Sequence, residues 1–218
     1  MDTLLASTFA IFFRALVAQP FAVPSSSMAP TIEIEDYVWA SKFSYGYSNF
    51  SLPFGESLPG FTFAKTGPDR GDVVVFRLPS DPSVDYIKRV IGLPGDQVQV
   101  RGGVTYLNGK PLRRRPLGHH KFFTDLSSAR TPPAQSFAET LPEGKSYTII
   151  EMERQSPGDD TRVFEVPPDH YFVMGDNRDN SSDSRFHGVG FIPEGNILGK
   201  VILAITWPGG KFTMRKVR

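Results

Sequence analysis

Asp85-Tyr86-Ile87-Lys88-Arg89-Val90-Ile91, followed directly by Gly92-Leu93-Pro94-Gly95-Asp96, is the stretch on which the fold turns. A run of β-branched and aromatic residues ending in a Gly/Pro/Asp cluster predicts a strand and then a turn. The turn is no phosphate loop, because the Lys-Ser/Thr ending is missing. The two-residue period of the strand puts Tyr86, Lys88 and Val90 on one face and Asp85, Ile87 and Arg89 on the other. Lys88 thus shares a face with apolar bodies. Two readings stay open: Lys88 and Arg89 both reach solvent, or Lys88 is desolvated and loses its proton near neutral pH, where it can act as a base. The second needs a shift of about three units from about 10.4, on the order of 4 kcal/mol.

Outward from this strand the same pattern repeats. Short β-rich runs lie at Tyr37 to Phe43, Asp72 to Leu78, Gln97 to Arg101, Lys145 to Glu153, Val163 to Val166, His170 to Met174, Leu198 to Thr206 and Lys211 to Lys216. Val104 to Leu107, Asn108-Gly109 and Lys110 to Leu112 predict a hairpin, since Asn-Gly supplies the two positive φ angles of a tight turn. Residues 113 to 144, basic and then Ser/Thr/Pro-rich, are expected to be loop-dominated. With 20 Gly and 19 Pro in 218 residues, a long helical bundle is ruled out. The fold class is mainly β. The less apolar stretch 97–167 reads as an inserted β domain within a core made of 21–96 and 168–218.

The first residues read differently. Thr3 to Val23 carry a single charge, Arg14, and a helix of that length would rise about 30 Å, roughly a bilayer core. Pro20 stops a regular helix near Ala18, so residues 1–20 are expected to be a short membrane anchor. A cleavable signal peptide fits less well, because Asp2 replaces the usual basic start and Arg14 interrupts the apolar run. A buried core helix is the third reading. Between Lys42 and Lys65 rings recur at Phe43, Tyr45, Tyr47, Phe50, Phe54, Phe61 and Phe63, either pinning a long loop to the sheet or forming a rim for the headgroup zone.

Composition excludes several chemistries. Lys plus Arg number 24 against 23 acids, so no broad basic footprint for nucleic acid exists. The absence of Cys removes disulfides, Cys-ligated zinc and a thiol nucleophile. None of the four histidines sits in a recognisable motif, which leaves a Ser/His/Asp triad unsupported. Two polar motifs remain. Pro24-Ser25-Ser26-Ser27-Met28-Ala29-Pro30 reads alone as a linker or as a nucleophile in need of a base. Gly175-Asp-Asn-Arg-Asp-Asn-Ser-Ser-Asp-Ser-Arg185 fails as an EF-hand, because the sixth position from Asp179 is Ser184 and the twelfth is Gly190. It reads as a hydrogen-bonded turn in which Asp183 and Arg185 pair, or as an ordinary Asx-rich loop.

Taken in order, Gln19-Pro-Phe21, Pro24 through Met28, Gly71-Asp-Val-Val-Val-Phe76, Tyr86 through Asp96 and Gly175 through Arg185 resemble the bacterial type I signal peptidases, membrane-bound Ser/Lys endopeptidases. The resemblance implies their coiled antiparallel β core, shared with self-cleaving repressors, with an inserted β domain and an N-terminal membrane-anchoring helix. It implies Ser27 as nucleophile, Lys88 as general base, Ser25 as oxyanion donor beside the Ser27 N–H, and Ser181 as the hydroxyl orienting the lysine. Asp183 and Arg185 match the supporting pair. Phe21, Val23, Pro24, Met28, Ile32, Asp85, Tyr86, Ile87 and Met174 match the substrate site, which takes small residues one and three places before the cut. The implied partners are signal-peptide-bearing precursors and the lipid bilayer, with no metal, cofactor or nucleic acid. A monomer in the bacterial cytoplasmic membrane, with its catalytic domain on the outer side, is expected. The chain departs from the family at Ser26, where glycine is common. Rival readings are a membrane-tethered β module that only binds, and a self-cleaving Ser/Lys protein, for which no helix-turn-helix fits before Ser27.

Overall fold

A computed structural model describes residues 18–42, 44–48, 62–63, 66–120, 134–152, 156–206 and 212–217. The expected anchor helix and most of the aromatic stretch 43–65 fall outside these residues. Among the described residues no helix is long and apolar enough to cross a membrane.

An eight-stranded antiparallel sheet, its strands numbered in chain order, carries the molecule. Its order is β1 (Ala18–Ala22), β2 (Tyr37–Ser41), β16 (Ile197–Thr206), β5 (Val73–Leu78), β6 (Asp81–Gly92), β14 (His170–Met174) and β15 (Ile192–Pro193), with β17 (Thr213–Lys216) also on β16. Strand β5 lies inside the sheet and is buried on both faces. Val73 and Val75 pack with Met28, Ile32 and Val38, while Val74, Phe76 and Leu78 pack with Val90, Tyr171 and Val173. That is why Val73 to Phe76 is a continuous apolar run instead of an alternation. Strand β6 begins in solvent and ends in the core, so Asp81 to Asp85 are exposed and Lys88 to Gly92 buried. Edge strand β1 takes Ala18, Gln19 and Pro20 into the sheet, with Pro20 opposite Trp39. The last three residues of the segment expected as an anchor, 18–20, thus lie in this strand; an edge strand tolerates the missing proline N–H.

Two smaller sheets come from residues 97–165. One has the order β13 (Phe164–Glu165), β7 (Gln97–Arg101), β8 (Val104–Leu107), β9 (Lys110–Pro111), and includes the expected Asn108-Gly109 hairpin, both residues at positive φ. The other has the order β10 (Arg113–His120), β11 (Ala134–Thr140), β12 (Ser146–Glu151). A short pair, β3 (Tyr47–Ser48) and β4 (Thr62–Phe63), completes the described strands. Within the loop expected over 113–144, the described residues 113–120 and 134–140 form two strands of a sheet, while 121–133 lie outside the described residues. Polar composition concealed them, because the fully buried Glu139 of β11 is neutralised by Arg114 and Arg178 instead of being apolar. The smaller sheets are not detached from the large one. Val98, Val100, Leu107 and Ile149 share one apolar cluster with Ile91, Phe172 and Met174.

Candidate active site

The chain leaves β1 at Ala22 and folds back through residues 25–32 in a tight turn. Ile32 N–H donates to the Met28 carbonyl and Ala29 N–H to that of Ser26, each at 3.0 Å. Burial of Met28 and Ile32 against β2 and β5 fixes the turn from below. Ser27 is thereby held at the surface of a cleft of about 370 Å³.

Strand β6 delivers the second group. Lys88 Nζ donates to Ser27 Oγ at 2.8 Å and to the Ile87 carbonyl at 2.9 Å, and it stands 5.1 Å from the centre of the Tyr86 ring. The side chain is buried. Desolvation pushes its pKa down from 10.5 to about 8, against the opposing pull of the Asp183 and Asp176 carboxylates. Of the two readings of Lys88, the structure selects the desolvated one. Its neighbour Arg89 is buried as well, on the opposite face, where Nε and Nη2 clasp Asp176 at 2.8 and 2.7 Å.

The polar run 175–185 wraps the other side of the cleft. Asn177 N–H donates to the Ser27 carbonyl at 3.1 Å and Asn177 Nδ2 to that of Ser26 at 3.2 Å, tying this loop to the turn that carries Ser27. The loop also pairs with β12 through a parallel bridge from Asn177 to Ile150. Asp183 and Arg185 form a buried two-point ion pair at 2.8 and 2.9 Å, and Asp183 also accepts the Gly175 N–H at 3.0 Å. These donors hold the Asp183 carboxyl below its ordinary range despite full burial.

The other expected residues divide. Ser25 Oγ lies 3.3 Å from Ser27 Oγ. Phe21, Val23, Pro24, Met28, Ile32, Asp85, Tyr86 and Ile87 line the cleft. Ser181 is expected to bond the lysine amine. Its buried hydroxyl sits beside the Asp183 carboxylate and makes no hydrogen bond of good geometry, and the bonds of Lys88 go to Ser27 and Ile87 instead. Met174 does not stand among the residues that line the cleft. It shares a face of β14 with Phe172 and packs with Ile91, Val98 and Leu107, away from the cleft wall. Two wall residues, Asn180 and Ser182, were missed, although they stand inside the polar run. Gly175 was missed too. A Cβ there would press on Ser181 Oγ and lie 2.5 Å from the Ser27 carbonyl oxygen, so hydrogen at this position is what allows the loop to close on Ser27. Among the described residues no group of three or more His, Asp or Glu is placed to hold a metal ion.

A serine hydroxyl bonded to a buried amine, both lining a cleft of about 370 Å³ in a largely antiparallel β fold, defines the class: a serine peptidase. Residues 1–207 match the model of the family described as signal peptidase, peptidase S26, and the chain belongs to that family. It is 44% identical over 203 residues to the signal peptidase I of Rickettsia typhi (strain ATCC VR-144 / Wilmington), covering 88% of this chain and 73% of that protein. Against the signal peptidase I of Rickettsia felis (strain ATCC VR-1525 / URRWXCal2), identity is 41% over 216 residues, 94% of this chain and 76% of the relative. A signal peptidase I crystal structure from Enterococcus faecalis V583 aligns at 27% identity over 62% of this chain and 97% of that one. Its TM-score of 0.36 is too low to carry an argument.

Proposed function

We propose that the protein removes N-terminal signal peptides from exported precursors, cutting after a small-x-small motif through a Ser27 acyl-enzyme. The observation that carries this reading is the 2.8 Å contact between Ser27 Oγ and the buried Lys88 amine, inside a cleft walled by Phe21, Tyr86 and Ile87. An extended precursor segment lies in the cleft as an added strand, its small side chains entering the apolar wall. Neutral Lys88 takes the proton from Ser27 Oγ as the oxygen attacks the scissile carbonyl carbon. The tetrahedral oxyanion is met by Ser25 Oγ and the Ser27 N–H, donors fixed before the charge develops. Collapse expels the new amino terminus, which takes the proton from Lys88, and leaves the ester. Lys88 then accepts a proton from water as its oxygen attacks the ester carbon, and hands that proton to Ser27 Oγ as the C–Oγ bond breaks, which frees the carboxylic acid and restores the neutral amine.

The residues that precede strand β1 act as a membrane anchor in this reading. They hold the catalytic β core, 21–96 with 168–218, on the outer side of the bacterial cytoplasmic membrane beside the emerging substrate. Residues 97–167 are the family's variable β insertion. The test is cleavage of a synthetic signal-sequence peptide by the intact protein. Ser27→Ala and Lys88→Ala should each abolish the cut while thermal unfolding stays cooperative. Full activity in either variant ends the dyad proposal.

A further inference from the structure

Ser26 stands between two cleft hydroxyls and turns its own inward. It is only 2% exposed, and its Oγ accepts a hydrogen bond from Asn180 Nδ2 at 2.9 Å. Asn180 itself is exposed and forms part of the cleft wall. The turn that carries Ser27 and the polar loop are joined by three further bonds, two from Asn177 to the backbone carbonyls of Ser26 and Ser27 and one from Thr31 Oγ1 to Asp176. A glycine at position 26 would keep those three bonds and lose only the one from Asn180. The hydroxyl of Ser26 is therefore not what secures Ser27. What it decides is the orientation of the Asn180 amide.

With a donor of that amide spent on Ser26, the carbonyl Oδ1 is the free acceptor end that Asn180 offers a ligand. An extended peptide in the cleft carries a row of backbone N–H donors, the natural complement of such an acceptor. We propose that Ser26 positions Asn180 as a fixed hydrogen-bond acceptor in the cleft wall, and that Asn180 takes one backbone N–H of the substrate. This rests on the reading of the cleft as the peptide site. The contact exists before the peptide arrives, so its benefit falls on binding: the side-chain rotamer of Asn180 is already fixed when the peptide docks.

The test uses the full chain and a series of signal-sequence peptides, each N-methylated at one backbone nitrogen. One N-methyl position should cost the wild type about five- to tenfold in kcat/KM, the range of a single hydrogen bond. Asn180→Ala and Ser26→Gly should each raise KM about three- to tenfold, lower kcat by less, and lose the extra sensitivity to that peptide. Ser26→Thr, which keeps a hydroxyl, should restore both properties. The double variant should be no worse than Asn180→Ala alone, since the two residues act as one unit. The proposal is overturned if Ser26→Gly behaves as wild type, if its loss falls in kcat with KM unchanged, or if Asn180→Ala senses every N-methyl peptide as the wild type does. Failure of the underlying cleft reading shows separately, as cleavage that survives Ser27→Ala.

Discussion

Lys88 and Arg89 are adjacent, both buried, and held in opposite ways: Lys88 faces Ser27 with no carboxylate among its hydrogen-bond partners, whereas Arg89 is clasped by Asp176. Pairing keeps the guanidinium charged, its pKa raised even though burial opposes this. Desolvation without a bonded carboxylate drives the amine the other way. A strand achieves this separation in one step, because consecutive side chains leave on opposite faces.

The pH dependence of catalysis follows from the amine. Protonated Lys88 cannot accept the hydroxyl proton, so kcat/KM should rise with pH and level off above about 8. Peptide cleavage measured from pH 6 to 10 checks this. A profile that is flat across pH 7 to 9 would assign the base elsewhere.

Asp183 tunes the same titration from behind. Its negative charge raises the pKa of Lys88, so Asp183→Asn should move the rising limb to lower pH. It should also leave Arg185 without its buried counter-charge, at a cost of about 3–5 kcal/mol in stability. Urea unfolding and the pH profile of the same variant measure the two effects independently.

Stability should move against function at position 88. The folded amine binds fewer protons than the unfolded one between pH 8 and its ordinary 10.5, so its burial cost is fully present below 8 and is relieved as pH rises through that window. Lys88→Met should be inactive and more stable than wild type at pH 7, by up to about 3 kcal/mol. The gap should close as pH approaches 10.5, as denaturant midpoints at both pH values will report.

Glu139 gives the opposite sign. Arg178 and Arg114 pull its carboxyl from 4.5 down to about 2 despite complete burial. Its contribution is complete above pH 4.5 and disappears as pH falls toward 2, up to about 3 kcal/mol. Glu139→Gln should remove this share of the acid sensitivity in that window and lower stability at pH 7. Arg178 also donates to the Gly175 carbonyl at 3.1 Å, so activity should fall with stability.

Gly175→Ala tests the close approach of loop and nucleophile. The methyl group would press on the Ser27 carbonyl oxygen and Ser181. Overpacking of about 1–3 kcal/mol is expected, with kcat lowered roughly a hundredfold by displacement of Ser27. Thermal melts and single-turnover cleavage give the two readings.

Short strands, their turns and the β class were legible along the chain, because period, Gly/Pro punctuation and the Asn108-Gly109 pair are local signals. So were the polar residues 175–185 and the serines 25–27, though only the motif resemblance joined them. The strands at 113–120 and 134–140 were hidden, since a buried Glu139 is intelligible only once Arg178, 39 positions away, lies against it. Whether Lys88 is a solvated cation or a base could not be decided in one dimension either. Desolvation is a property of surroundings, and those of Lys88 come from Ser27, 61 residues earlier, and from Asp183 far downstream. The order of residues determined which groups exist and on which face of each strand they stand. Only packing decided which are dry, which are paired and which meet.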